Sequence, residues 1–178
     1  MSLFSVELYE KIKQDFGHPP TADQDKGMED FAHFLLQDEP RSLYILKGYA
    51  GTGKTSLIGA LVKVLRYEKK PVVLMAPTGR AAKVLSSYTQ YYANTIHRRI
   101  YFATTKEGGY LNLKLQTNKL KNSVFIVDEA SMIPDVKSEA KSGGRNLLVD
   151  LIEFVYTDPN NKLIFVGDSA QLPPVCLA

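Results

Sequence analysis

The chain has 178 residues, of which 44% are hydrophobic and 23% are charged. This length suits one domain with a continuous core, and the composition is typical of a soluble globular protein. A single cysteine excludes an internal disulfide, and no apolar run approaches the ~20 residues that a membrane-spanning helix needs. The first residues lack a basic region followed by an apolar stretch, so we expect no signal peptide and a cytoplasmic protein without a membrane partner. The net charge of +3 permits a polyanionic partner but does not identify one.

Two helices are predicted ahead of the first strand. Apolar residues recur every four positions from Phe4 to Phe16, which indicates one helical stripe. Thr21 and Gln24 have the spacing of a capping box that opens a second helix. Gln24 has two interpretations at this point. It is a local cap, which the spacing alone favours, or its amide reads the edge of an adenine.

The strongest motif is residues 48–55, GYAGTGKT, which matches the phosphate-loop pattern at every fixed position. An apolar run precedes it and a helical pattern follows it, which is the strand, loop and helix context that the motif requires. Its glycines allow successive backbone N–H groups to point inward at phosphate oxygens. Lys54 would reach the β- and γ-phosphates of a nucleotide, and Thr55 would offer its hydroxyl to Mg²⁺. A chance glycine-rich connection explains the complete motif less well.

The next segments predict a parallel sheet. Residues 71–76 form a short apolar run typical of a buried parallel strand, and together with the preceding strand and helix they form a crossover unit. Thr78 can cap the helix that follows, at the carboxyl end of the strand, where open α/β sheets bind ligands. A tyrosine-rich loop then leads to His97, and a lone histidine is more often structural than functional. Residues 101–122 are predicted to contain a small hairpin with a turn at Gly108 and Gly109.

A second strong motif is the pair Asp128 and Glu129, which follows the apolar strand 124–127. In nucleotide hydrolases the first acid holds Mg²⁺ and the second polarises the attacking water. The alternative is a strand that merely ends in acidic turn residues, and the phosphate loop upstream makes it the weaker one. Residues 134–145 are predicted to be a mobile loop. Residues 163–168 form another buried strand, and Gln171 lies just beyond it, where an amide could sense a γ-phosphate.

Taken in order, these motifs resemble domain 1A of superfamily 1 DNA helicases of the RecD/Dda-like branch, which includes the exodeoxyribonuclease V alpha subunit. The phosphate loop is similar to motif I, residues 76–83 (APTGRAAK) to motif Ia, and residues 95–97 (TIH) to the block that follows it. Residues 127–132 (VDEASM) are similar to motif II, and residues 167–175 (GDSAQLPPV) to motif III. The resemblance implies a P-loop NTPase, RecA-like fold: a mostly parallel sheet with helices on both faces, in three α/β/α layers. It implies a helical extension over residues 1–20 and domain 1A over residues 21–178, without the second RecA-like domain.

The family's roles carry over position by position. The resemblance implies ATP and Mg²⁺ as cofactors and single-stranded DNA as the partner, with helicase–nuclease subunits if the parent protein is RecD-like. Thr55 and Asp128 would bind Mg²⁺. The implied catalytic residues are Lys54, Asp128, Glu129 and Gln171; the ATP-binding residues are Gln24, Gly48, Ala50, Gly51, Thr52, Gly53, Lys54, Thr55 and Ser56; and the DNA-binding residues are Thr78, Arg80, Lys83 and His97.

The expected function is therefore that of an ATP-binding domain of a 5′-to-3′ DNA helicase that acts in DNA repair or recombination. We expect the 178 residues alone to be a fragment that hydrolyses ATP poorly, because the family supplies arginines from its second domain. Two other classes stay open. A small-molecule kinase would use the same phosphate loop with a late basic lid, and a DNA-binding module would keep the fold without motor activity.

Overall fold

The computed structural model describes residues 3–105, 111–134 and 146–168. The helices in these ranges are α1 (Leu3–Phe16), α2 (Ala22–Leu36), α3 (Lys54–Tyr67), α4 (Gly79–Thr89), α5 (Ile96–Ile100) and α6 (Leu147–Val155), with a 3₁₀ turn at Ala130–Met132. The strands are β1 (Leu43–Lys47), β2 (Val72–Ala76), β3 (Ala93–Thr95), β4 (Tyr101–Thr105), β5 (Leu111–Leu115), β6 (Val124–Val127) and β7 (Lys162–Gly167). None of the helices in these ranges combines the length and apolar character needed to cross a membrane.

Five strands form a parallel sheet in the order β1-β7-β6-β2-β3, and β4 pairs with β5 as a separate antiparallel hairpin. Successive side chains of a strand point to opposite faces, and the apolar runs of β2, β6 and β7 therefore supply two cores. Leu74 and Ile126 belong to the core that α1, α2, α3 and α4 cover. Met75 and Val127 belong to the core that α5 and α6 cover. The predicted three-layer α/β/α fold is confirmed.

The N-terminal helix α1 packs directly on α2 and α3. Ile12 and Phe16, on its apolar stripe, are buried in the first core together with Met28 of α2 and Leu61 of α3. Helix α1 therefore contributes to the packing of the sheet's helical layer. The assignment of residues 1–20 as an extension separate from the domain stays a prediction.

Two features near the edge of the sheet differ from the sequence expectation. Helix α4 continues to Thr89, so Tyr88 is helical and does not belong to a tyrosine-rich loop. The strand β3 was not predicted, because only one of its three residues is buried and its stability comes from pairing with β2.

The predicted hairpin is present as β4 and β5, whereas its turn at residues 108–109 lies outside the described ranges. The loop predicted at 134–145 lies almost wholly outside them as well.

A buried amide holds the amino ends of β6 and β7 to the end of α6. The side chain of Asn161 accepts a hydrogen bond from the Ser123 backbone N–H at 2.8 Å. Its amide nitrogen donates to the carbonyl oxygens of Val155 at 2.7 Å and Leu120 at 3.1 Å. Asn161 is only 1% exposed, so water cannot replace these bonds if the side chain is removed.

We therefore expect Asn161→Ala to lower the free energy of unfolding by about 1–3 kcal/mol, since it leaves the buried Ser123 N–H without its acceptor and removes a donor from the carbonyls of Leu120 and Val155. The Val155 carbonyl keeps a longer bond from the Asn118 amide at 3.5 Å. Urea denaturation with circular dichroism would measure this change. The matched control is Asn160→Ala, because Asn160 is exposed and its side chain makes no hydrogen bond to a described residue. Equal stability of the two variants would contradict the structural role of Asn161.

Candidate nucleotide site

The carboxyl ends of three neighbouring parallel strands meet at one edge of the sheet. In the pairing of β1 with β7, Lys47 lies opposite Gly167. In the pairing of β6 with β7, Val127 lies opposite Phe165. The phosphate loop follows β1 directly, and Asp128 follows β6. The Gly48 N–H also donates to the Gly167 carbonyl at 3.3 Å, which extends the pairing into the loop. The two motifs predicted to act together therefore emerge side by side.

The phosphate loop turns through two glycines with left-handed backbone conformations. Gly51 has a φ of 80° and Gly53 a φ of 82°, values that strain a residue with a side chain. The Thr52 hydroxyl donates to the Tyr49 carbonyl at 2.8 Å and closes the turn. A Cβ at Gly48 would lie 2.8 Å from the Thr52 hydroxyl oxygen, so this close approach also requires glycine.

Helix α3 begins at Lys54 without a side-chain cap at Gly53. By contrast, side-chain oxygens cap α2, α4, α5 and α6. The first N–H groups of α3 are thus left to bind an anion, which the helix dipole favours. The Lys54 ammonium donates to the carbonyls of Gly48 at 2.6 Å and Tyr49 at 2.8 Å, so it lies at the loop. When a nucleotide binds, a charged phosphate oxygen can take the place of these two neutral carbonyls as the acceptor from Lys54.

Gln24 connects the start of α2 to this loop. The capping box with Thr21 is complete, so the interpretation that the spacing favoured is present in the structure. The Gln24 amide nitrogen in addition donates to the Thr52 carbonyl at 2.9 Å. A Cβ at Gly53 would lie 2.6 Å from that nitrogen, which gives Gly53 a second reason to be glycine. Adenine recognition by Gln24 stays a prediction.

An open cavity of about 580 Å³ lies over the phosphate loop. Six of the nine predicted ATP-binding residues line it, and the three that do not are Ala50, Thr55 and Ser56. Sequence reasoning missed Asp23 and Tyr49, which also line the cavity. The sequence could have indicated both residues, because Asp23 directly precedes Gln24 and Tyr49 directly follows Gly48. The lining residues are Thr21, Asp23, Gln24, Leu46, Lys47, Gly48, Tyr49, Gly51, Thr52, Gly53, Lys54 and Leu57.

The acidic pair turns the chain sharply after β6. The Asp128 N–H still donates to the Met75 carbonyl of β2 at 3.0 Å, so Asp128 is held in line with the sheet. Glu129 then adopts a φ of 54°, a strained conformation for a residue with a side chain. Its backbone N–H donates to the Asp128 carboxylate at 3.0 Å. The turn therefore orients Asp128 and starts the 3₁₀ segment beyond it.

Burial raises the pKa of the Asp128 carboxyl above its ordinary value, and the neighbouring Glu129 charge acts in the same direction. The Glu129 N–H and the positive charge of Lys54 oppose this shift. Lys54 is thus close enough to Asp128 to affect its ionisation, although the two residues are 74 positions apart in the chain. The effect is smaller than that of burial, and the structural link between the two motifs is the register of β1, β7 and β6.

The oxygen donors near the loop suit a hard divalent cation. The described ranges contain no cluster of three or more histidine, cysteine or acidic side chains that could hold a metal by itself. Mg²⁺ usually needs only one or two protein oxygens, with water and substrate phosphates completing its shell. The Thr55 hydroxyl makes no hydrogen bond to a described residue, and the Asp128 carboxylate accepts one from the backbone. These two side chains could hold Mg²⁺ together with a nucleotide.

The residues predicted to bind DNA follow β2 and β3 at the same carboxyl edge. Thr78 caps α4, accepting a hydrogen bond from the Ala81 N–H at 3.2 Å. Arg80 and Lys83 are exposed on α4, and His97 is exposed on α5. The edge thus divides into a nucleotide side at β1, β7 and β6 and a second polar side at β2 and β3. Gln171 lies outside the described residues.

The imidazole of His97 lies near the Tyr101 ring, with centroids 5.8 Å apart. Partial desolvation lowers the pKa of His97, so the ring is neutral at pH 7. A neutral imidazole can donate and accept a hydrogen bond but offers no positive charge to a phosphate.

We expect Asp128→Asn to stabilise the protein at pH 7 in the absence of nucleotide and Mg²⁺. The pKa of Asp128 is higher in the folded state than in the unfolded state, so ionisation costs folding free energy above that pKa. The gain should shrink as the pH falls through the raised pKa of the folded state and should vanish below the ordinary aspartate value of 3.8. Urea midpoints across this pH range would measure the effect, with exposed Glu153→Gln as the control. A pH-independent difference would contradict the role of ionisation.

Comparison with known proteins places this site in a family. A family model described as an AAA domain matches residues 35–177. The chain is 33% identical to the ATP-dependent RecD2 DNA helicase of Deinococcus radiodurans over 84% of its length and 19% of the relative's. It is 30% identical to the RecBCD enzyme subunit RecD of Mycobacterium tuberculosis H37Rv, covering 74% of this chain and 24% of that subunit. It is 32% identical to the ATP-dependent DNA helicase dda of enterobacteria phage T4, covering 73% and 28%.

The chain therefore spans less than a third of the length of these three relatives. The resemblance to RecD/Dda-like superfamily 1 helicases that the motifs indicated is confirmed. With a five-stranded parallel sheet, a phosphate loop and a matching family model over most of its length, the chain belongs to the AAA domain family and is related to the RecD and Dda helicases.

Proposed function

We propose that this chain is the ATP-binding and ATP-hydrolysing domain of a 5′-to-3′ DNA helicase that couples hydrolysis to movement along single-stranded DNA. The observation that carries the proposal is the register of β1, β7 and β6, which ends the strand before the phosphate loop and the strand before Asp128 at one edge of the sheet, beside a helix terminus without a side-chain cap. This arrangement combines a phosphate cradle with a carboxylate at the same edge of the sheet. The related proteins supply the second support, because their names describe DNA helicases and a RecBCD subunit.

In the proposed mechanism the loop N–H groups and the start of α3 bind the phosphates, and Lys54 exchanges its two carbonyl partners for the β- and γ-phosphate oxygens. Thr55 and Asp128 would hold Mg²⁺, which would neutralise part of the charge on the phosphates when it is bound. Glu129 orients and deprotonates the attacking water. Gln24 reads the adenine, and Gln171 reports the state of the γ-phosphate.

The same proposal assigns the second polar side of the edge to DNA. Thr78 and the start of α4 would hold one phosphate, with Arg80, Lys83 and His97 along the strand. Since the pKa of His97 is lowered, its contribution is a hydrogen bond more than a charge. If the parent protein is RecD-like, its partners include the other subunits of a helicase–nuclease, in DNA repair or recombination.

We expect slow turnover by this chain alone. No arginine from the described ranges lines the cavity over the phosphate loop. Without an arginine to balance the charge on the transferring phosphoryl group, hydrolysis should be slower by roughly 10³ or more than in a site that has one.

Two substitutions separate binding from chemistry. Lys54→Ala should weaken ATP binding at least tenfold, because it removes the cation that faces the phosphates. Glu129→Gln should keep binding within about twofold and reduce single-turnover hydrolysis at least 100-fold, since the amide cannot accept a proton. A fluorescent ATP analogue and radiolabelled ATP would measure the two effects. Lys63→Ala, an exposed lysine further along α3, is the control.

Lys54→Ala binding ATP as tightly as the unchanged chain would overturn the nucleotide site. A chain that binds single-stranded DNA with an affinity unaffected by ATP would instead favour a DNA-binding module without motor activity. The proposed motor domain predicts that nucleotide and DNA change each other's affinity by the same factor. Paired titrations of each ligand in the presence of the other would measure both factors.

A further inference from the structure

We propose that the flank of α4 beside the edge strand β3 forms a groove that stacks a single-stranded DNA base on Tyr92 and places phosphates at Lys83 and Arg98. This inference rests on the proposed DNA-binding function. It extends the proposed DNA-contacting surface from the start of α4 along the length of the helix. It also adds an aromatic contact to a surface that the proposed function builds from polar and charged side chains.

Two adjoining surface depressions define this groove and share Lys83, Ser86 and Tyr92: one of about 360 Å³ beside β3, and a shallow, wide-open one of about 410 Å³ towards the end of α4. At about 100° per residue, the α4 residues that line it fall on one flank of the helix. From Gly79 to Gln90 the groove is roughly 16 Å long at the helical rise per residue. Its lining residues are Gly79, Ala82, Lys83, Ser86, Ser87 and Gln90 on α4 and Tyr91, Tyr92, Ala93, Asn94, Thr95 and Arg98 beyond it.

The chain leaves α4 in a way that points one tyrosine inward and the next outward. Gln90 ends the helix with a φ of 52°. The Tyr91 N–H donates to the Thr89 hydroxyl at 3.3 Å, and the Tyr91 ring packs against the first core beneath the Arg66 guanidinium. Tyr92 is consequently 66% exposed at the rim of the groove. Its position is thus determined by buried neighbours, although its own ring is free to meet a ligand.

The other wall of the groove is also held in place. The Ala93 N–H donates to the Ser86 hydroxyl oxygen at 2.9 Å, which joins the start of β3 to α4. Residues 93–95 pair with β2, and β3 is the last strand in the described sheet. The Ser86 bond therefore joins α4 to the start of β3, and pairing with β2 holds β3 in the sheet.

The groove is positively charged. Lys83 lines both depressions and Arg98 lines the one nearer the carboxyl edge, and neither side chain pairs with a described acidic residue. Among the residues that the structure describes, no aspartate or glutamate lines either depression. Two cations in a groove without described acidic groups favour binding of a polyanion. When they neutralise its phosphates, the counterions condensed on the polyanion are released.

An exposed tyrosine beside these cations favours a single strand over a duplex. Sites for single-stranded nucleic acid combine a basic groove that follows the backbone with aromatic rings on which unpaired bases stack. In a duplex the bases are already stacked on one another, so Tyr92 would meet only the sugar–phosphate backbone. A groove of roughly 16 Å accommodates a short run of nucleotides.

The test measures the affinity of the whole 178-residue chain for a fluorescent oligothymidylate by anisotropy. Tyr92→Ala should weaken binding between about fivefold and 100-fold, the range for one stacked base, and Tyr92→Phe should retain it. Lys83→Ala should weaken binding and reduce the slope of log affinity against log salt by about 1. Tyr88→Ala is the matched control, because Tyr88 is 65% exposed on the same helix but lies on its opposite flank.

A photocrosslink on the unchanged chain gives a second measurement that does not depend on any variant folding. With 5-iodouracil in the oligonucleotide, the mapped crosslink should fall on Tyr92. Normal binding by Tyr92→Ala, with loss only in Thr78→Ala, would overturn the groove and leave the proposed function intact. Absence of any binding by the unchanged chain would overturn both proposals, and tighter binding to duplex DNA would overturn the single-strand assignment.

Discussion

The parallel pairing of β7 with both β1 and β6 is the constraint on which the candidate site depends. It brings Lys47 and Gly167 into register and places β6, which Asp128 follows directly, beside β7. The Gly48 N–H bond to Gly167 continues that pairing into the phosphate loop. Because β6 and β7 are buried on both faces, they cannot shift by a residue without moving their apolar side chains into the wrong layer. Core packing therefore fixes the distance between the loop and the acid.

Within that frame, several local features favour ligand binding at the expense of stability. Glu129 holds a strained backbone conformation, and Asp128 carries a charge in a position where burial disfavours it. Helix α3 begins without the side-chain cap that α2, α4, α5 and α6 possess. A phosphate and a cation between Lys54 and Asp128 would offset these costs, because the phosphate would pair with the N–H groups of α3 and the cation with the Asp128 carboxylate. The features form a consistent pattern, since strain and unpaired groups concentrate where a ligand would relieve them.

Much of the fold and the outline of the site could be predicted from the sequence. The strands that end at the site are contiguous apolar runs, and the phosphate loop is identified by spacing within eight residues. The remaining features depend on contacts between distant segments. The Gln24 bond to the Thr52 carbonyl joins two elements 28 residues apart, and the short strand β3 is stabilised by pairing with β2. The exposure of Tyr92 accompanies the partial burial of Tyr91 against the first core, which no periodicity in the sequence indicates.

The division of the carboxyl edge into two sides suggests how a nucleotide could affect a nucleic acid. Asp128 on the nucleotide side donates its N–H to the Met75 carbonyl of β2, and β2 leads directly to the cap of α4. A change at the acid would thus be passed along a hydrogen bond to the strand that positions the polar second side. The coupling needs no long chain of contacts, because the two sides are neighbours in the same sheet.

The most direct measurement is a crystal structure with a non-hydrolysable ATP analogue and Mn²⁺ in place of Mg²⁺, using the anomalous signal to locate the metal. The account predicts one peak at about 2.1 Å from the Thr55 hydroxyl, with Asp128 coordinating it directly or through one water, and the Lys54 ammonium moved from its carbonyl partners to the phosphates. A nucleotide bound with its phosphates away from Lys54, or a metal without contact to either Thr55 or Asp128, would contradict it.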